Sequence, residues 1–236
     1  MQTVTPDSLR EMGEMIEFPS NGSVGRGYLA TASGAAAGVV VIQEWWGLVP
    51  HIRDVCDRFA SAGFTALAPD LYGGKQVSEP DEAGKAAMAM KADVAVRDMS
   101  GAVDELLKRS RRDKVAVVGF CMGGGLALAL ASRRPDAVSV CVPFYGISMR
   151  PDLQPDYSKC DAAVLGHYAE LDEYCPPDAA RDLEAKLRGF GKEAQIHIYP
   201  GTDHAFFNDT RPEVHDAQAS ALAWQRTLDF LRSHLG

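Results

Sequence analysis

A cysteine flanked by glycines is the residue of this sequence best placed to do chemistry. Gly119-Phe120-Cys121-Met122-Gly123 follows a short apolar run and precedes a stretch rich in Ala and Leu. This is the pattern of a nucleophile elbow, G-x-Nuc-x-G, in which the nucleophile occupies a tight turn between a strand and a helix. Amides at a helix N-terminus favour a thiolate over a thiol. The spacing therefore predicts a nucleophilic sulfur at Cys121.

Two other interpretations of this glycine-rich stretch are a nucleotide-binding loop and a buried structural cysteine. Phosphate-binding loops carry Gly-Lys-Ser/Thr, which is absent here, and Cys121 interrupts the dinucleotide fingerprint. The nucleotide loop is therefore disfavoured, and the structural cysteine is the alternative that stays open.

A cysteine nucleophile needs a base, and chains with this elbow carry the nucleophile, an acid and a histidine in that order. His204 lies in a loop just past the last apolar run, from which it could reach back over Cys121. His197 lies inside that run, and His215 and His234 fall in the last helical stretch, where a solvated or structural histidine is commoner. We predict that His204 is the base.

The orienting carboxylate should follow a strand end and precede a helix. Asp172 fits this requirement best, whereas Glu170 and Glu173 are predicted to be solvated surface charges. An aspartate in this place fixes the imidazole tautomer and stabilises the imidazolium as it forms.

The elements that must position these residues are short apolar runs alternating with longer helical stretches. This alternation is typical of an α/β protein with a mostly parallel, doubly wound sheet that helices cover on both faces. The predicted strands are Gly38–Ile42, Phe64–Ala68, Val115–Val118, Val138–Val142, Ala162–Leu165 and Ile196–Tyr199, after an edge hairpin at Met15–Phe18 and Gly27–Ala30. The predicted helices are His51–Ala62, Asp93–Lys108, Met122–Ser132, Pro177–Arg188 and Glu213–His234.

Two connections, Tyr72–Ala83 and Ile147–Lys159, are rich in Pro, Gly and polar residues and are predicted to be loops. In an open α/β sheet, ligands bind outside the carboxyl ends of the strands. The residues that directly follow each apolar run are therefore where the site is expected.

Length and composition predict one soluble domain over residues 1–236, since 46% of the residues are hydrophobic and 24% are charged. The net charge of −8 disfavours nucleic acid and anionic membranes as partners. The start of the chain lacks a signal pattern, so a cytoplasmic location is expected. The five cysteines include no C-x-x-C pair, which predicts reduced thiols without a metal site.

Several motifs taken together resemble the dienelactone hydrolase family, whose members include carboxymethylenebutenolidases. The order Q-E, P-D-L-Y, G-F-C-x-G-G and G-x-x-H-x-F is specific, although each motif alone would be weak. The resemblance covers Val41–Gly74, Val115–Leu128, Pro143–Gly146, Glu170–Pro177 and Tyr199–Phe206, and so spans nearly the whole chain. It implies an α/β-hydrolase fold with no separate lid domain, a Cys-Asp-His triad, and hydrolysis of an ester or lactone through a thioester acyl-enzyme, without a cofactor.

The resemblance also implies roles for residues that spacing alone does not single out. In the family, the glutamate that stands at Glu44 contacts the resting thiol and moves away when substrate binds; a turn-capping role is the alternative. The oxyanion hole would come from the backbone amides of Trp45 and Met122.

Aromatic and polar side chains on the carboxyl-end loops are the expected substrate contacts, although some of the aromatics could belong to the core. Those predicted to contact substrate are Trp46, Tyr72, Tyr145, Phe207 and Asn208.

Asn208 stands where relatives that prefer carboxylated lactones carry an arginine. This departure predicts weaker discrimination for a substrate carboxylate, unless Lys85, Lys91 or Arg97 supplies a charge.

Two other functions remain open on the sequence. A carboxylesterase or thioesterase of the same fold would act on other acyl substrates, and a non-catalytic or redox-sensing protein would merely retain a reactive cysteine. We expect a monomer that takes a small-molecule ester or lactone.

Overall fold

The computed structural model describes residues 13–34, 36–148 and 150–235. Eight strands run β1 Glu14–Ser20, β2 Ser23–Ala30, β3 Gly38–Ile42, β4 Thr65–Pro69, β5 Val115–Phe120, β6 Val138–Phe144, β7 Ala163–Ala169 and β8 Ala194–Tyr199. Six α-helices run α1 Pro50–Ser61, α2 Pro80–Ala89, α3 Ala92–Ser110, α4 Met122–Arg133, α5 Pro177–Gly189 and α6 Ala217–Leu235. Two short 3₁₀ turns, Pro151–Leu153 and Tyr157–Lys159, lie between β6 and β7.

The strands form one sheet in the order β1-β2-β4-β3-β5-β6-β7-β8. β1 and β2 pair antiparallel, β2 pairs antiparallel with β4, and every pair from β4 through β8 is parallel. The predicted mostly parallel sheet and its antiparallel edge hairpin are therefore confirmed. The parallel arrangement brings the carboxyl ends of β3, β5, β7 and β8 to one edge, where the predicted site residues meet.

A hydrophobic core lies on each face of the sheet. Alternate residues of β5 serve both cores, with Val118 on one face and Val117 on the other. One core packs against α1 and α6, and the second packs against α3, α4 and α5. Because both faces of the sheet are buried, β3 and β5 are apolar at every position, and this continuous apolar pattern is what predicts them from the sequence.

Several strands are longer than predicted, among them β2, which begins at Ser23, and β7, which ends at Ala169. Two helix boundaries also differ from the sequence prediction. The segment assigned to a loop through Ala83 turns helical at Pro80, and α2 exposes most of its side chains, so no apolar stripe marked it. Pro80 in the first turn, followed by Asp81 and Glu82, favours this helix start. The last helix begins four residues later than predicted, where the Asp216 carboxylate accepts the Ala219 N–H and satisfies the first turn.

The connection from β4 to α3, residues 70–91, contains one regular element, the helix α2. No helix within the described parts of the chain is long and apolar enough to cross a membrane. A single domain over residues 1–236 stays a prediction, and its residues 1–12, 35, 149 and 236 lie outside the described residues.

Candidate active site

Cys121 lies in the turn between β5 and α4, as the elbow motif predicts. Its φ of 54° and ψ of −119° are strained for a residue with a side chain. A Cβ on Gly119 would meet the Gly123 carbonyl oxygen at 2.0 Å, and one on Gly123 would meet the Ile42 carbonyl oxygen at 2.4 Å. The two glycines therefore let α4 approach the ends of β5 and β3 closely enough to form the turn.

Three side chains form a continuous hydrogen-bonded chain at the carboxyl edge. His204 Nε2 lies 3.1 Å from Cys121 Sγ, and His204 Nδ1 lies 2.7 Å from Asp172 Oδ2. The other carboxylate oxygen, Asp172 Oδ1, accepts the backbone N–H groups of Tyr174 and Cys175, each at 2.8 Å. The buried Asp172 is thus fixed by its own loop and can hold the imidazole of His204 in one orientation.

The loops that carry the acid and the histidine are joined to each other by hydrogen bonds. The Leu171 N–H donates to the Thr202 carbonyl at 2.9 Å, and the Glu170 carboxylate accepts the Gly201 N–H at 2.8 Å. Sequence reasoning assigned Glu170 to the solvated surface, and the structure adds this positioning contact. No pattern in the sequence marks it, because an exposed glutamate in a loop is ordinary.

The environment of Cys121 favours the protonated thiol at rest. Burial raises the pKa of the Cys121 thiol, and the negative charge of Glu44 raises it further. The Met122 backbone N–H, which hydrogen-bonds the sulfur, acts in the opposite direction on that pKa. A thiolate is therefore disfavoured until its charge is compensated.

Glu44 lies at the end of β3 and is 1% exposed. Asn208 Nδ2 donates to Glu44 Oε2 at 2.8 Å, and the Tyr145 hydroxyl donates to Glu44 Oε1 at 3.4 Å. Burial, with the nearby Glu44 charge, raises the pKa of Tyr145, so this hydroxyl stays a donor. The carboxylate is therefore held by two neutral donors close to the nucleophile.

Three of the predicted substrate contacts, Asn208, Phe207 and Tyr72, are not among the residues that line the cavity beside Cys121. Asn208 is 2% exposed; its amide N–H binds Glu44, and its oxygen accepts the Thr210 N–H at 3.1 Å. Phe207 is buried in the core and stacks on Phe120, with ring centroids 5.5 Å apart. Tyr72 directs its hydroxyl to Met122 Sδ at 3.7 Å.

Trp46 and Tyr145 do line the cavity, together with Cys121 and His204. Trp45 and Met122, whose amides were predicted to form the oxyanion hole, line it as well. Among the turn and loop hydrogen bonds of the described ranges, neither of these two N–H groups donates to a backbone carbonyl, and the Met122 N–H points to the Cys121 sulfur. The cavity has a volume of about 830 Å³.

Two arginines line the cavity that sequence reasoning did not place there, Arg150 and Arg211. Asp152 binds the Arg150 guanidinium in a fork, with bonds of 3.0 and 2.6 Å. Arg211 lies over the Trp46 ring at 5.9 Å and pairs with Glu213 at 2.9 Å. Arg211 follows His204 by seven residues in the same loop, and this short spacing is the sequence signal that could have indicated it. The cations predicted as substitutes for a family arginine, Lys85, Lys91 and Arg97, are not among the residues that line the cavity.

All five cysteines carry free thiols. Within residues 13–34, 36–148 and 150–235, no group of three or more His, Cys, Asp or Glu side chains is arranged to hold a metal ion.

Comparison with known proteins finds a family model and relatives that match most of the chain. The model of the dienelactone hydrolase family matches residues 26–235. Protein usf of Aquifex pyrophilus is 38% identical over an alignment of 238 positions, and the match covers 95% of this chain and 100% of that protein. A protein of Aquifex aeolicus strain VF5, provisionally named a carboxymethylenebutenolidase, is 35% identical over 233 residues, with 95% and 100% covered.

A solved structure from Klebsiella pneumoniae, provisionally described as a dienelactone hydrolase, superposes with a TM-score of 0.84 at 27% identity. The match covers 94% of this chain and 98% of that one. The α/β-hydrolase architecture is thus shared over nearly the full length of both chains.

Proposed function

The chain belongs to the dienelactone hydrolase family, and from that premise we propose that it hydrolyses an ester or lactone through a thioester on Cys121. The observation that carries the proposal is the unbroken contact from Asp172 through His204 to the Cys121 sulfur, at 2.7 and 3.1 Å. A nucleophile, a base and an orienting acid in this geometry suit acyl transfer.

The first step is a proton transfer from Cys121 Sγ to His204 Nε2. The Asp172 carboxylate stabilises the imidazolium that results, and this ion pair compensates the thiolate whose charge the buried site otherwise disfavours. The thiolate then attacks the substrate carbonyl carbon. The carbonyl oxygen takes up the negative charge and is stabilised by the amides of Trp45 and Met122.

Collapse of the tetrahedral intermediate breaks the carbon–oxygen bond of the ester. The leaving alkoxide takes the proton from His204, and the acyl group remains on Cys121 as a thioester. Water, deprotonated by His204, then attacks the thioester carbonyl, and the released sulfur recovers its proton. Each turnover thus consumes one ester and one water and returns the thiol.

Glu44 takes the role of keeping the thiol protonated between turnovers. Its charge raises the Cys121 pKa, and a thiolate is the form that oxidants attack. This suits a nucleophile that becomes reactive only when a substrate is bound with its carbonyl oxygen at the oxyanion amides. A redox-sensing cysteine, by contrast, needs a low pKa in the resting state.

Replacement of Cys121 by alanine tests the proposal. Hydrolysis of an aryl ester such as p-nitrophenyl acetate should fall by about a thousandfold or more in kcat/KM, with an unchanged circular dichroism spectrum. Cys175→Ala is the matched control, because it removes a second thiol that lines the same cavity and leaves the backbone N–H of residue 175 in place to bind Asp172. Retention of more than about a tenth of the activity in Cys121→Ala would refute the thioester route.

A further inference from the structure

The cavity beside Cys121 is larger than a small lactone needs. Its volume of about 830 Å³ lies toward the upper end of the range of about 300–1,000 Å³ that sites for drug-sized ligands occupy. Much of the space must therefore be filled by parts of the substrate distant from the reacting carbonyl, or by water.

One side of the cavity is an apolar wall that three elements build. We use "apolar wall" for Ala87 and Met88 of α2, Leu126 of α4, and Ile147 and Leu153 of the segment after β6. None of these side chains carries a group that could bind a polar substituent.

The elements of the apolar wall are tied to each other. Arg150 donates to the carbonyl oxygens of Ala87 and Met90 at 3.2 and 2.7 Å, which fixes the segment after β6 to the end of α2. A Cβ on Gly125 would lie 2.5 Å from the Ile147 carbonyl oxygen, so α4 is in close contact with the same segment. The wall is thus part of the folded framework.

Apolar side chains also stand exposed around the cavity. Met88, Leu171 and Tyr174 are 84%, 54% and 63% exposed, and all three line it. The Tyr174 ring lies 5.1 Å from the His204 ring, so this exposed apolar surface reaches the catalytic base. Exposed apolar side chains that line a cavity are typical of a site that binds an apolar group.

The charges that line the cavity do not favour an anionic group. Both arginines are already engaged by carboxylates, Arg150 by Asp152 and Arg211 by Glu213. Two acidic side chains, Glu173 and Asp203, line the cavity as well. A substrate carboxylate would meet arginines whose charges are already balanced by carboxylates, and it would also approach the negative charges of Glu173 and Asp203.

We propose that the substrate is a neutral ester or lactone carrying a long or bulky apolar group, which lies against the apolar wall. The inference rests on the proposed hydrolase function and names the substrate class for the same site. Burial of each methylene against the wall is worth up to about fourfold in kcat/KM, which corresponds to about 0.8 kcal/mol.

The test compares three aryl esters with the same leaving group: p-nitrophenyl acetate, p-nitrophenyl hexanoate, and the p-nitrophenyl half ester of adipic acid. The third has the chain length of the second but ends in a carboxylate. The expected kcat/KM for hexanoate exceeds that for acetate by about tenfold or more, and the half ester loses that gain. Equal values for acetate and hexanoate, or a half ester as good as hexanoate, would overturn the proposal.

A pair of variants locates the effect. Ala87→Trp fills space beside the apolar wall and should lower the hexanoate-to-acetate ratio of kcat/KM by about tenfold. Ala89→Trp adds the same side chain to the same helix at an exposed position outside the cavity, and should leave the ratio unchanged. A ratio that both variants change equally, or that neither changes, would contradict the assignment of the wall.

Calorimetric titration of the Cys121→Ala protein with methyl hexanoate separates this inference from the proposed function. Saturable binding that Ala87→Trp abolishes supports the apolar site even if no ester is hydrolysed, an outcome that would refute the hydrolase proposal alone. Turnover of acetate without methyl hexanoate binding or a chain-length preference would refute the substrate class alone.

Discussion

Asn208 donates a 2.8 Å hydrogen bond from its side-chain amide to Oε2 of Glu44, and both side chains are buried. The amide fixes the carboxylate without neutralising it, so the Glu44 charge still acts on Cys121 and raises the pKa of the thiol. An arginine at this position would have compensated that charge. The residue expected to bind substrate therefore acts on the nucleophile through Glu44.

Removal of the Glu44 charge should make Cys121 easier to alkylate. In Glu44→Gln the Cys121 pKa falls, so a larger fraction is thiolate at any pH below that pKa, and the rate of reaction with iodoacetamide at pH 7 rises by about tenfold. Peptide mapping by mass spectrometry distinguishes Cys121 from Cys175, whose thiol pKa burial raises to about 12. An alkylation rate at Cys121 equal to that of the wild type would show that Glu44 does not act on the thiol.

Loss of the Asn208 amide should have the opposite effect on the same thiol. Asn208→Leu leaves the Tyr145 hydroxyl donating to Glu44 and should cost about 1–3 kcal/mol of stability, because a buried acceptor loses one of its partners. Without the amide, the charge of Glu44 is less compensated, so the pKa of Cys121 should rise above its wild-type value. Alkylation of Cys121 should therefore slow in Asn208→Leu, whereas it should speed up in Glu44→Gln. The two pH profiles of alkylation check this; a shift of both in the same direction would contradict the arrangement.

The closeness of α4 to β5 makes Gly119 indispensable. A Cβ there would meet a backbone oxygen at 2.0 Å, so Gly119→Ala should lower the free energy of unfolding by about 4 kcal/mol or more. Gly84 in α2 has open space around its Cα and an ordinary φ, so Gly84→Ala should raise that free energy by about 0.5–1 kcal/mol. Urea unfolding measures both, and a Gly119→Ala protein as stable as the wild type would argue against the elbow geometry.

The parts of this molecule that the sequence predicts well are those set by local pattern. The central strands could be located because burial on both faces demands continuous apolar runs, and Cys121 could be found because the turn admits only glycine two residues to either side. Asp172 and His204 follow from the rule that ligands gather at the carboxyl ends of parallel strands.

The parts that the sequence did not reveal depend on side-chain direction. Asn208 lies on a loop at the correct edge of the sheet, yet it turns inward to Glu44, a residue far away in the chain. The side chain of its neighbour, Phe207, also turns inward and is buried in the core. The helix α2 carries no apolar stripe because most of its side chains face solvent, so only the folded chain shows that it forms a wall of the site.

The central claim is that Cys121 carries the acyl group during turnover. Rapid acid quenching of the enzyme during hydrolysis of p-nitrophenyl hexanoate, followed by peptide mass spectrometry, tests it directly. The account predicts a hexanoyl adduct on the peptide that contains Cys121, removable by hydroxylamine and absent from Cys121→Ala. An acyl group found on another residue, or turnover by Cys121→Ala at the wild-type rate with no adduct in either protein, would contradict it.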